Sequence, residues 1–256
     1  MKKAISLINL LEEENLDTVL STIKRYGFEY IELPLTYVLK KPWAEITVLD
    51  IENLKYQIKK HKLRINSLQS ISFGIDYDIC KIKTVDHARL EQHFSQVAVY
   101  ASMLDCAHVV YGSPATRKGI DKDMYRMFFH ALSIIFSKRR VSFCLENNSK
   151  AFGCNFGYEA QEVYNFIDYS KIDNLYSHFD TGNEYLEGRT MPDNKYVKSI
   201  HISNNKQYNF MKDKQYIEYV MKCLDHSLGI ESITMENMLP QEDYELVINK
   251  FASLTK

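Results

Sequence analysis

Residues 141–183 read VSFCLENNSKAFGCNFGYEAQEVYNFIDYSKIDNLYSHFDTGN, and this stretch decides the fold. It opens on a short β-rich run that ends on Glu146. It closes on a second run that ends on Asp180 and is stopped by Gly182. Between the two lies a longer stretch of helical periodicity, so the unit is strand, helix, strand. The same unit recurs in both directions. Toward the N-terminus the β-rich runs are 4–9, 30–33 (stopped by Pro34), 63–69 and 108–111 (ended by Gly112, Ser113 and Pro114); toward the C-terminus they are 197–203 and 232–236. Leu16, Val19, Leu20 and Ile23 make one helix face with Gly27 as its C-cap. Ile51, Leu54 and Ile58 make another, and Tyr244, Val247, Ile248 and Phe251 a terminal one.

Strands alternating with helices pair in parallel through right-handed crossovers. Eight such units in 256 residues, about 32 residues each, is the size of a single (β/α)8 TIM barrel spanning 1–256. The competing architecture, a doubly wound open sheet, usually carries a glycine-rich first turn. Neither G-x-G-x-x-G nor a P-loop lysine motif occurs in this chain.

Composition narrows the function. Lys and Arg number 32 against 33 Asp and Glu, a net charge of −1, so the basic excess that accompanies nucleic-acid or anionic-lipid binding is absent. No apolar run approaches the ~18 residues of a membrane span. The start, Met1-Lys2-Lys3 before an apolar stretch, imitates a secretory signal, but Ser6 and Asn9 interrupt it and Glu12-Glu13-Glu14 follow without a cleavage site. It reads as a first strand. Five scattered cysteines without a C-x-x-C pair suit reduced thiols in a cytoplasmic protein.

In a (β/α)8 barrel, chemistry sits where strands pass into βα loops. The last four units each place an ionisable residue there: Glu146, Asp180, His201 and Glu236. Three carboxylates and one imidazole on neighbouring strands make a mixed oxygen and nitrogen site for Mn²⁺, Mg²⁺, Co²⁺ or Zn²⁺. Carboxylates packed together repel unless a cation neutralises them or one takes a proton, so such a set can hold a metal and still exchange protons with a substrate. Taken singly, each has a plainer role: a carboxylate after a strand is commonly a helix N-cap, Asp180 before Thr181-Gly182 fits a turn, and His201 fits a satisfied core histidine.

At these residues the sequence resembles the xylose isomerase-like TIM barrels, the superfamily of sugar phosphate isomerases and epimerases. The motifs that carry the resemblance are 27–33 (GFEYIEL), 67–70 (SLQS), 111–114 (YGSP) with Arg117, 145–147 (LEN), 179–182 (FDTG), 200–203 (IHIS) and 235–237 (MEN). The resemblance implies one Mn²⁺, Mg²⁺ or Co²⁺ ion held by Glu146, Asp180, His201 and Glu236. It also implies that Glu146 and Glu236, on opposite faces of a small carbohydrate, shuttle a proton through an enediolate. The ligand intervals of 34, 21 and 35 residues are close to those of the family's ketohexose epimerases, with the middle one shorter. Two positions depart from the pattern. Asn183 stands where the family usually has a substrate-touching histidine, and Lys206 follows His201 where the epimerases place an arginine. The trinuclear endonucleases of the superfamily need further histidines where this chain has Gln69, Gly112-Ser113, Asn183 and Asn204-Asn205-Lys206, which excludes nucleic acid as a substrate. Relatives of this kind are often dimers or tetramers, which leaves both a monomer and a homo-oligomer open for this chain.

The expected substrate contacts are Gln69, Asn183, Arg117, Lys206 and Glu32. Arg117 is read as an anion-binding group at a helix entrance, against the alternative of an exposed basic turn. Glu32 is read as a wall of the mouth, against an ion pair with a loop lysine. His178, two before Asp180, shares its inward face and is read as supporting the metal or as core. Phe73, Tyr111, Phe152 and Phe156 are candidates for an apolar pocket wall, and the loop 149–157 fits either a lid or an ordinary turn. Two other reactions or roles remain open on this scaffold: metal-assisted hydrolysis or lyase chemistry, and a degenerate barrel that only binds a metabolite.

Overall fold

The computed structural model describes residues 1–9, 15–192, 195–203, 213–225 and 229–236. Eight parallel strands close into a barrel in sequence order: β1 (Lys2–Ser6), β2 (Tyr30–Pro34), β3 (Arg64–Gln69), β4 (His108–Tyr111), β5 (Ser142–Glu146), β6 (Leu175–Asp180), β7 (Val197–Ser203) and β8 (Ser232–Glu236), with β8 pairing β1. The helices are α1 (Leu16–Arg25), α2 (Leu35–Leu39), α3 (Val48–Lys60), α4 (Thr84–Met103), α5 (Lys122–Ser137), α6 (Ala160–Ser170), α7 (Thr181–Leu186) and α8 (Lys214–Asp225). The expected (β/α)8 barrel is therefore present. The first run is shorter than expected, because a 3₁₀ turn takes over at Leu7–Asn9. The terminal helix expected around Tyr244 to Phe251 lies outside the described residues. No helix among the described residues is long and apolar enough to cross a membrane.

Local chemistry accounts for the helices. Asn15 caps α1 by accepting from Asp17 N at 2.8 Å, and Thr47 and Asp50 form a reciprocal capping box on α3. Val19, Leu20 and Ile23 of α1, and Ile51, Leu54 and Ile58 of α3, are buried, as their spacing dictates.

The strands divide their residues between two environments. Ile200 and Ile202 of β7 and Ile233 and Met235 of β8 join the apolar layer beneath the helices. The alternating positions, Ser199, His201, Ser203, Ser232 and Thr234, are buried and polar. Contacts between non-adjacent strands place these polar side chains inside the barrel. His201 of β7 reaches Glu32 of β2, and Asn66 Nδ2 of β3 donates to Ser232 Oγ of β8 at 3.0 Å. Where a (β/α)8 interior is commonly filled by branched apolar residues, this one carries hydroxyls, imidazoles and carboxylates. Register then sets the levels: Glu146 lies opposite His178, Asp180 opposite His201, and Ser203 opposite Glu236.

Candidate metal centre

Glu146, Asp180, His201 and Glu236 come together at the carboxyl ends of β5 to β8. One donor atom from each lies within 4.8 Å of the other three. His201 Nδ1 is 2.9 Å from Glu146 Oε1 and 3.1 Å from Glu236 Oε2. Asp180 fulfils its cap reading and its cluster reading at once. It is the N-cap of α7, with Oδ1 accepting from Asn183 N at 2.7 Å, while Ser203 Oγ donates to its carboxylate at 2.7 and 2.9 Å. Two glycines make room. A Cβ at Gly112 would lie 1.9 Å from Glu146 Oε2, and one at Gly182 would lie 2.6 Å from the Ser203 carbonyl oxygen.

A supporting layer fixes these groups. Glu32, fully buried, accepts from His201 Nε2 at 2.7 Å and from Ser67 Oγ at 2.6 Å. Its partner is thus the cluster's own imidazole, which corrects the expectation of a pocket wall or a lysine pair. The contact holds Nδ1 toward the carboxylates, as a carboxylate behind a metal-binding histidine does. Asn147 ties β5 to β6: its Oδ1 accepts from Asp180 N at 2.8 Å, and its Nδ2 donates to Glu184 Oε1 at 3.1 Å. Ser67, Asn147 and Ser203 lie inside the strand-end motifs 67–70, 145–147 and 200–203, but the motifs by themselves assign them no role.

The other expected site residues are distributed as follows. Gln69 Nε2 donates to Ser6 Oγ, and Gln69 also hydrogen-bonds Glu236, so it borders the cluster. The Asn183 amide donates to Asn147 O at 3.1 Å. Arg117 is neither a mouth residue nor an exposed turn. It is fully buried, and its guanidinium donates to the carbonyls of Glu146 at 2.9 Å, Phe156 at 3.2 Å, Ser113 at 3.3 Å, and Gly112 and Gly157 at 3.4 Å. It therefore clamps backbone, and it anchors the loop 149–157, which the sequence allows as either a lid or an ordinary turn. That loop is held further by Phe156, whose ring stacks on Tyr125 with centroids 3.8 Å apart. Of the aromatic candidates, Tyr111 and Phe156 are core, while Phe73 and Phe152 are exposed. Lys206 lies outside the described residues.

The electrostatics follow from packing charge inside a barrel. Burial, then repulsion from Glu146 and Glu236, pushes the Asp180 carboxyl up to about 8, and burial likewise raises Glu146. Burial alone would lower His201, but the carboxylates of Glu32, Glu236 and Glu146 outweigh it and hold the imidazole well above its usual value. Burial also works against the Glu236 carboxylate, yet His201 beside it brings its value below the usual one. The cluster must take up protons or a cation. Its donors fit a divalent ion. His201 Nδ1 is buried among carboxylate oxygens at 2.9 and 3.1 Å yet has no aligned hydrogen bond. Oxygen donors with one imidazole suit hard to borderline divalent metals.

Fold and cluster together define a (β/α)8 barrel with a carboxylate–imidazole centre at its carboxyl-terminal mouth. The chain belongs to the xylose isomerase-like TIM barrel family, whose profile matches residues 20–227. Among solved structures it is similar to D-psicose 3-epimerase from Clostridium cellulolyticum H10, at 14% identity over 99% of this chain and 96% of that one, with a TM-score of 0.77. An IolI protein solved with a zinc atom matches at 17% identity over 100% and 95%, TM-score 0.72. The 3-keto-D-glucoside 4-epimerase YcjR from E. coli matches at 15% over 99% and 98%, TM-score 0.70. At these identities the likeness shows the fold. No protein of curated function matches the sequence.

Proposed function

We propose that the protein is a divalent-metal-dependent isomerase or epimerase acting on a sugar or sugar-like hydroxy-carbonyl substrate. The observation that carries this reading is the convergence of Glu146, Asp180, His201 and Glu236 within 4.8 Å at the barrel mouth. These four residues would hold one ion, Mn²⁺, Mg²⁺, Co²⁺ or Zn²⁺, which when bound polarises the substrate carbonyl and hydroxyl and stabilises negative charge on their oxygens. Glu146 and Glu236 flank the imidazole from different strands and serve as the proton-transfer pair. One carboxylate removes the proton from the carbon next to the carbonyl, giving an enediolate, and the other returns a proton to it. Asp180, fixed by Ser203 and the start of α7, remains a ligand, and Glu32 keeps His201 in orientation. Gln69 and Asn183 border the substrate, and Lys206 is kept as a further substrate contact. The neighbouring sugar epimerases support a small carbohydrate substrate and a non-hydrolytic reaction.

The test is turnover of a panel of ketoses, aldoses and their phosphates in D₂O by the metal-loaded protein. Deuterium incorporated at the carbon next to the carbonyl, and lost in both Glu146→Gln and Glu236→Gln, is the expected result. Full activity in either variant refutes the proton-transfer pair. Incorporation of solvent ¹⁸O into a cleaved product would replace it with metal-assisted hydrolysis.

A further inference from the structure

A second donor set reaches deeper into the barrel than the four-residue cluster, and it adds His178, which the proposed reaction does not use. His178 stands two residues before Asp180 in β6, opposite Glu146 of β5, and is fully buried. Its Nδ1 is 2.5 Å from Ser199 Oγ. Its Nε2 faces Glu146 Oε1 at 3.9 Å and has no hydrogen-bond partner. The rings of His178 and His201 meet edge to face, with centroids 3.9 Å apart. One donor atom from each of Glu146, His178 and His201 lies within 4.8 Å of the other two. His178 does not group in this way with Asp180 and Glu236, so the two sets share two members without merging.

A buried polar atom without a partner is unfavourable, and His178 Nε2 has none although it faces Glu146 Oε1 at 3.9 Å. A cation between the two would give each a partner. Ligand atoms about 2.0–2.2 Å from a zinc ion stand roughly 3–4 Å from each other. The 2.9 Å from Glu146 to His201 and the 3.9 Å from Glu146 to His178 fit that spacing. The Ser199 contact at the far nitrogen is also what a metal-binding histidine requires, since it fixes the ring with the other nitrogen free.

We propose that Glu146, His178 and His201 form a second, deeper cation position in the same centre, taking a borderline transition-metal ion such as Zn²⁺. The upper position, with three carboxylates, takes Mn²⁺ or Mg²⁺. Two imidazoles to one carboxylate favour the softer ion, and three carboxylates to one imidazole the harder. Because Glu146 and His201 belong to both positions, the chain holds one ion at a time, and the ion's chemistry decides its depth. This inference rests on the reading of the four residues as a metal centre.

X-ray absorption on the full chain tests it directly. The zinc-loaded wild type is expected to show two imidazole ligands, and the manganese-loaded wild type one. In competition titrations, His178→Gln should weaken zinc at least tenfold and leave manganese within twofold of the wild type. Asp180→Asn should do the reverse. A single imidazole on zinc, or zinc affinity in His178→Gln within twofold of the wild type, overturns the deeper position and leaves the four-residue centre standing. Failure of the wild type to bind either ion overturns both. Should His178→Gln not fold, the absorption measurement on the wild type decides alone.

Discussion

Replacing Glu32 by Gln isolates the carboxylate behind His201 from the ligands themselves. Glu32 is fully buried, accepts from His201 Nε2 at 2.7 Å and is itself held by Ser67 Oγ at 2.6 Å. Gln preserves size and an accepting oxygen but removes the charge. Outer groups of this kind change metal affinity by about 10–100-fold, or ~1.4–2.7 kcal/mol. Ser67→Ala removes one neutral-to-charged hydrogen bond from the same carboxylate and should cost less, roughly fivefold. Glu29→Gln, an exposed carboxylate three residues away, should change nothing. The assay is manganese binding by calorimetry, with the melting temperature of each metal-free variant as a check on folding. Manganese affinity in Glu32→Gln within twofold of the wild type, beside abolished binding in His201→Ala, would refute the orienting role.

Gly112→Ala should weaken metal binding and turnover far more than stability, because the new Cβ meets the end of the Glu146 side chain, which can swing aside at the expense of the site. Titration of metal alongside urea unfolding checks the split. Arg117→Met should cost about 3 kcal/mol or more in urea unfolding, since it leaves buried carbonyls of Glu146 and Phe156 without their cationic donor. A loss of substrate affinity at unchanged stability would instead restore its expected substrate contact. Glu184 gives a pH signature. Burial raises its carboxyl from 4.5 to about 7, although Ala160 N donates to it. A raised folded value means stability that is full below pH 4.5 and lost as pH rises through about 7, at most ~3 kcal/mol. Metal-free wild type and Glu184→Gln unfolded in urea from pH 4.5 to 8 should differ in slope over that window, and parallel curves would count against it.

The sequence alone determined whatever is written in short-range pattern. The β-rich runs fixed seven of the strands to within a residue or so, because apolar alternation and a following Gly or Pro are local signals. The four cluster residues were legible for the same reason: each is an ionisable residue at or near the carboxyl end of one such run. The tertiary structure decided who faces whom. Glu32 and His201 are 169 residues apart and meet only because the barrel closes β8 on β1 and sets β2 across its interior from β7. Nothing around Glu32 distinguishes a carboxylate aimed at a loop lysine from one aimed at an imidazole. Arg117 is similar: its place after a strand end suggests an anion site, but its burial follows from three segments, around Gly112, Glu146 and Phe156, turning their carbonyls to one point. The depth of His178 beside Glu146 depends on register between β5 and β6, which hydrogen bonding between strands sets and the order of residues does not express.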